Sequence, residues 1–125
     1  MDDRYKVLMI DDEQDIINFF AKTFQHFKHI DFFTALRAGQ GIEIAKKEKP
    51  QLILLDLRMP GMNGEEALRE LKKLFPETKF MVMTGWEDGA TRERIERIGV
   101  DAYYTKPIDL EKIVTKIMSL IMLKG

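Results

Sequence analysis

Apolar residues fall along this chain in two alternating patterns, short continuous runs and longer stretches with helical spacing. Tyr5 to Ile10 is mostly apolar and stops at Asp11-Asp12-Glu13. Leu52 to Leu55 is four aliphatic residues in a row, stopping at Asp56. Lys79 to Met83 stops at Thr84-Gly85, and Asp101 to Thr105 at Lys106-Pro107. Runs of this length, bounded by charge, Pro or Gly, predict strands, and the unbroken run Leu52 to Leu55 predicts one buried on both faces. His29 to Ala35 alternates partly and predicts a strand less buried than its neighbours.

Between these runs the spacing becomes helical. Ile16, Ile17, Phe20, Phe24 and Phe27 predict a helix over Asp15 to Phe27. Ile42, Ile44 and Ala45 predict a short helix over Gly39 to Lys49, with a lysine-rich end that suits a helix C-terminus and Pro50 to stop it. Asn63 is placed to cap a helix with Glu66 at its third position and Ala67, Leu68, Leu71, Leu74 and Phe75 facing inward. Gly89 to Ile98 is the weakest predicted helix. Only Ala90, Ile95 and Ile98 face inward, and pairs such as Arg92 with Glu96 add about 0.2–0.5 kcal/mol each. Asp109 caps a last helix with Leu110, Ile113, Ile117, Leu120 and Ile121 on one stripe. Five strand-helix pairs joined by right-handed crossovers predict an α/β fold, a doubly wound parallel sheet with helices on both faces.

Composition narrows the function classes. At 125 residues the chain is expected to form one domain, 1–125, with one real core. A net charge of −1 gives no electrostatic footprint for nucleic acid or an anionic membrane. The absence of cysteine removes disulfide scaffolds, thiol catalysis and thiolate metal sites. No apolar run approaches a membrane span, and the polar, acidic start is unlike a signal peptide, so a cytoplasmic protein is expected.

In a parallel α/β sheet the strand C-terminal ends share one edge, where ligands bind. Asp11, Asp12, Asp56, Thr84 and Lys106 are then expected to converge. Taken singly, each has an ordinary explanation: the acids complement the start of a helix, Asp56 begins a turn, Thr84 caps the next helix, and Lys106 is a solvated lysine. Together they point to chemistry. Carboxylates brought close raise one another's pKa unless a cation neutralises them. All-oxygen ligands suit Mg²⁺ or Mn²⁺, and no His or Cys is placed to favour zinc. A metal beside a carboxylate, a hydroxyl and a lysine suits phosphoryl groups, and a carboxylate can be the nucleophile. Asp56, alone at the middle strand, is the candidate.

Asp11-Asp12-Glu13, Leu-Leu-Asp56-Leu-Arg-Met-Pro-Gly-Met-Asn-Gly64, Met-Thr84-Gly and Asp-Ala-Tyr103-Tyr-Thr-Lys106-Pro107, in that order, resemble the receiver domain of two-component response regulators from Lys6 to Met122. The resemblance implies a flavodoxin-like sheet of order 2-1-3-4-5 with five helices. It implies that Asp56 accepts a phosphoryl group from a histidine kinase or phosphotransfer protein. Asp12 would bind Mg²⁺ directly and Asp11 through water, with Asp56 and the Arg58 main-chain carbonyl completing the set. Thr84 would be the switch hydroxyl, Tyr103 the switch aromatic, Lys106 the phosphoryl partner, and Pro107 would follow a cis peptide bond.

The resemblance further implies a regulator that promotes its own phosphorylation and dephosphorylation rather than an enzyme with turnover. Its downstream partner would be an effector protein or a fused output domain outside this chain, with no direct contact to nucleic acid. The fourth helix, fifth strand and fifth helix would be the responsive surface, with dimerisation there as one option. Gly85 stands where a slightly larger residue is common. Trp86 beside it is expected to contact a partner rather than just cover the fourth helix and, with Arg58, to flank the phosphoryl group and set how easily water reaches it. Three rivals fit less well. An aspartyl-phosphate phosphatase would carry an acid-base Asp where Arg58 stands, a flavin carrier would need a Ser/Thr/Gly-rich cradle after the first strand, and a phosphate-independent module would not require the full set of site residues.

Overall fold

The computed structural model describes residues 4–59, 62–85 and 89–122. In chain order the elements are β1 (Tyr5–Ile10), α1 (Gln14–Phe24), β2 (Ile30–Ala35), α2 (Ala38–Glu48), β3 (Leu52–Asp56), β4 (Arg58–Met59), β5 (Met62–Asn63), α3 (Gly64–Leu74), β6 (Lys79–Thr84), α4 (Gly89–Ile98), β7 (Ala102–Thr105) and α5 (Leu110–Met122). Five strands form one parallel sheet in the order β2-β1-β3-β6-β7. With the two-residue strands β4 and β5 set aside, this is the expected order 2-1-3-4-5. Those two form a small antiparallel ribbon of their own, where the sequence suggested only a loop.

The sheet divides the interior into two layers, because successive residues of a strand face opposite sides. Leu8, Ile10, Ile53, Leu55, Phe80 and Val82 pack against α2, α3 and α4 through Ile42, Ala45, Leu68, Leu71 and Ile95. Val7, Met9, Leu52, Leu54, Met81 and Met83 pack against α1 and α5 through Ile17, Phe20, Phe24, Ile113 and Ile117. Every residue of β3 is buried, as its unbroken apolar run requires. The edge strand β2 is only half-buried over its four middle residues, which matches its partial alternation.

The helices also match their sequence signals, with four local differences. Asn63 caps α3 by accepting a hydrogen bond from the Glu65 amide at 2.8 Å, and Asp109 accepts one from the Lys112 amide at 3.3 Å. The first helix stops at Phe24, three residues short of the expected end; Phe27 instead turns back to pack on the Phe24 ring with centroids 5.4 Å apart. Leu74 and Ala90, both expected inward, are exposed. Leu74 is the last residue of α3, beyond the reach of the layer beneath, and α4 buries Ile95 alone. Lys49 closes α2 in the left-handed region, φ 51°, a conformation more usual for glycine. Among the described residues no helix is long and apolar enough to cross a membrane.

Candidate phosphoacceptor site

Strand register brings the polar residues to one level. Ile10 lies beside Leu55 in the β1–β3 ladder, so the next residue on each strand, Asp11 and Asp56, come out side by side. Asp56 is level with Met83 on β6, and Thr84 beyond it pairs with Thr105 on β7. Lys106 follows Thr105, its amide donating to the Thr84 carbonyl at 2.7 Å. The Lys106-Pro107 peptide bond is cis.

Asp11, Asp56 and Thr84 are the buried polar residues among those described, exposed by 0%, 2% and 1%. Asp12 is exposed at the rim. Asp11, Asp12 and Asp56 each present a carboxylate oxygen within 4.8 Å of the others. Two of these carboxylates also set their own loops: Asp11 accepts from the Glu13 amide at 2.8 Å and Asp56 from the Arg58 amide at 3.0 Å. Each is an Asx turn that points the chain away from the sheet while leaving the second carboxylate oxygen facing the site.

That second oxygen meets Lys106. Its ammonium donates to Asp56 Oδ2 at 3.0 Å, to Asp11 Oδ2 at 3.1 Å and to Glu13 Oε1 at 2.5 Å. An ammonium has three donors, and these contacts use all of them. Burial pushes the Asp11 carboxyl up, and the Asp56 charge adds to it. The Glu13 amide and Lys106 pull it back only in part, leaving it at about 6 against an ordinary 3.8. Burial alone would lower Lys106, but the hydrogen bonds to Glu13 and Asp56 and the charges of Asp11 and Asp56 outweigh it and hold the ammonium above its ordinary value. The site is therefore a cationic lysine set in excess carboxylate.

The arrangement suits a hard divalent cation. Its donors are all carboxylate oxygen from three residues, and burial, with the neighbouring Asp56 charge, holds the Asp11 carboxyl above its ordinary value. Asp11, Asp12 and Asp56 would be the side-chain ligands. Arg58, whose main-chain carbonyl the family resemblance implies as a further ligand, lies in the ribbon opposite Asn63, immediately beyond the Asx turn of Asp56.

Tyr103 stands on β7 beside Val82. Its hydroxyl is buried, and the Arg92 guanidinium of α4 lies 4.8 Å from its ring centroid, a cation–π contact that joins helix and strand. The α4 helix is also tied to α3, since Arg94 donates to Glu65 at 2.9 Å while Arg69 pairs with the same carboxylate at 3.4 Å. These hydrogen bonds from Arg94 and Arg69 hold the Glu65 carboxyl below its ordinary range. Trp86 lies outside the described residues. Glu13, by sequence position one of the acids at the start of a helix, is in the structure a third carboxylate on Lys106.

The family model for the response regulator receiver domain matches residues 7–118. Sporulation initiation phosphotransferase F of Bacillus subtilis is 28% identical over 120 residues, covering 96% of each chain. Response regulator GacA of Pseudomonas aeruginosa is 29% identical over 113 residues, 90% of this chain but 53% of that protein. This chain thus spans about half the length of that relative. The crystal structure of a CheY-like response regulator receiver domain protein from Methanospirillum hungatei superposes with a TM-score of 0.86 at 28% identity over 94% of both chains. With a family match over nearly its whole length, a shared fold and an acidic pocket at the expected strand ends, the chain belongs to the receiver domains of two-component response regulators, which are phosphorylation-activated switches.

Proposed function

We propose that Asp56 is the phosphoacceptor, that Asp11, Asp12, Asp56 and the Arg58 main-chain carbonyl hold Mg²⁺, with Mn²⁺ able to substitute, and that Lys106 and Thr84 receive the phosphoryl oxygens. The observation that carries this reading is the buried Asp56 carboxylate with Lys106 Nζ 3.0 Å from its outer oxygen and two further carboxylates beside it. The bound ion would supply positive charge against which the oxygens of the transferring group are neutralised.

The chain's own residues do the rest. The Asx turn at Arg58 fixes one Asp56 oxygen and leaves Oδ2 as the nucleophile. As Oδ2 bonds to phosphorus, the P–N bond of a phosphohistidine breaks and its electron pair stays on the imidazole nitrogen. Lys106, already held charged at Oδ2, meets the new negative oxygens without reorganising. Thr84, buried one residue beyond the level of Asp56, donates its hydroxyl to another. Drawing Thr84 inward frees the space toward which Tyr103 turns, and the surface of α4, β7 and α5 changes its preferred partner.

The same groups support attack by water on the aspartyl phosphate, so the regulator promotes its own phosphorylation and dephosphorylation. The donor is a histidine kinase or a phosphotransfer protein of the cytoplasm. The receiver of the signal is an effector protein or an output domain outside this chain, with a dimer through α4, β7 and α5 as a further form of output. In a direct test, incubation with a small acyl phosphate and Mg²⁺ adds one phosphoryl group to the wild type by intact-mass measurement. Asp56→Asn or chelation of the metal abolishes the addition, and Lys106→Ala leaves it but uncouples it from the surface change. Unchanged phosphorylation of Asp56→Asn would refute the assignment.

A further inference from the structure

Glu13 is the residue before α1 and should, by its position, cap that helix. Its backbone does so, its carbonyl accepting from the Ile17 amide at 3.1 Å, but its side chain makes no cap hydrogen bond. The carboxylate instead crosses the sheet edge to Lys106, 93 residues away in sequence. Glutamate is not a favoured N-cap side chain, so the helix start loses little by this contact and its benefit is to be sought at Lys106.

The three acceptors of Lys106 differ in one respect. Asp11 and Asp56 belong to the set that would hold the metal, and their side chains are exposed by 0% and 3%; Glu13 lies outside that set, and its side chain is 54% exposed. A divalent ion held by Asp11 and Asp56 would compete with Lys106 for their negative charge and would repel the ammonium. Glu13 is the acceptor left over. It is also placed by Asp11 itself, through the hydrogen bond from the Glu13 amide.

We propose that Glu13 is a positioning residue for phosphoryl transfer: its carboxylate keeps the Lys106 ammonium over Asp56 when the metal ligands are engaged, so that the lysine meets the incoming phosphoryl group already in place. The proposal rests on the assignment of Asp56 as phosphoacceptor. It adds a role for a residue that touches neither metal nor phosphoryl group and acts through Lys106 alone. The step it serves is complete in itself. With an acyl phosphate donor, Asp56 Oδ2 forms the bond to phosphorus, the P–O bond to the acyl group breaks, and the carboxylate leaving group carries the electron pair away.

The test is a cycle of four proteins, wild type, Glu13→Gln, Lys106→Ala and the double variant, phosphorylated by acetyl phosphate at saturating Mg²⁺. Glu13→Gln is expected to slow the wild type about fivefold, as loss of a partly exposed charge-assisted contact implies, and to leave the Lys106→Ala protein unchanged. Glu13→Asp, too short to span the contact, behaves as Glu13→Gln. A readout independent of rate is the side-chain ¹⁵N resonance of the Lys106 ammonium. In the Mg²⁺-loaded wild type it is observable because the group is pinned, and in Glu13→Gln it is lost to solvent exchange. Equal slowing in the wild-type and Lys106→Ala backgrounds, or an unaltered rate and ammonium resonance in Glu13→Gln, would overturn the proposal. Failure of the underlying assignment looks different, since Asp56→Asn would then still be phosphorylated.

Discussion

At the scale of single residues, Asp11 links the site to stability. Its folded-state pKa of about 6 lies above the ordinary 3.8, so between those two values the folded chain holds a proton that the unfolded chain has released. Stability then falls as pH rises from about 4 through 6 and stays reduced above. Lys106 does not cancel this slope. Its raised pKa stabilises fully below its ordinary 10.5 and is lost only at high pH. Glu65, lowered by Arg94 and Arg69, works the other way, losing its contribution as pH falls below its ordinary 4.5. In chelator-treated protein the Asp11 contribution raises the thermal midpoint from pH 7 to pH 5.5, a rise that Asp11→Asn removes. Mg²⁺ restores more at pH 7 than at pH 5.5, because at the lower pH it must displace a proton. Thermal melts at the two pH values, with and without the ion, check both statements.

At the scale of elements, α4 has a thin core beneath it and leans on ties to its neighbours. It buries Ile95 alone and is fastened by Arg94 to Glu65 of α3 and by Arg92 to Tyr103 of β7. Exposed pairs contribute about 0.2–1 kcal/mol. Arg94→Ala is expected to speed hydrogen exchange of the α4 amides by up to about fivefold while leaving those of α3 unchanged. The weakness of this helix was legible in its sequence, because a stretch with three apolar positions among alternating Arg and Glu has little to bury. The strand ends were legible for a similar reason: an unbroken apolar run that meets a charge has one physical reading in a parallel sheet, and Asp11, Asp56, Thr84 and Lys106 all lie where that reading puts them. The β4–β5 ribbon was not. It pairs Arg58 with Asn63 and Met59 with Met62, two residues on each side, too short for any periodicity to register. The contact of Glu13 escaped for the opposite reason, since an acid before a helix has an adequate local explanation and its true partner lies across the fold. Ala90 and Leu74 misled because helical spacing defines a face without fixing how far that face stays covered.

At the scale of the whole molecule, the sheet carries its polar residues at one edge and its apolar side chains in two layers that share no residue. The α1 and α5 helices cover one layer and α2, α3 and α4 the other, so the surface of α4, β7 and α5 proposed above to respond wraps around the outer strand and has a foot in each. Truncations on opposite sides of a packed sheet have few common neighbours. Ile17→Val in the α1 layer combined with Leu68→Ala in the α3 layer is therefore expected to destabilise by the sum of the single effects within about 0.5 kcal/mol, whereas Leu68→Ala with Ile53→Val, both in one layer, is expected to depart from the sum. Denaturant unfolding of the singles and doubles measures both cycles. The consequence is a form of modularity inside one fold. Loss of packing on one side can be tolerated, or made good, without retuning the other, and sequence change under α4 can alter how readily the switch throws while the side that carries α1 keeps its own tolerance intact.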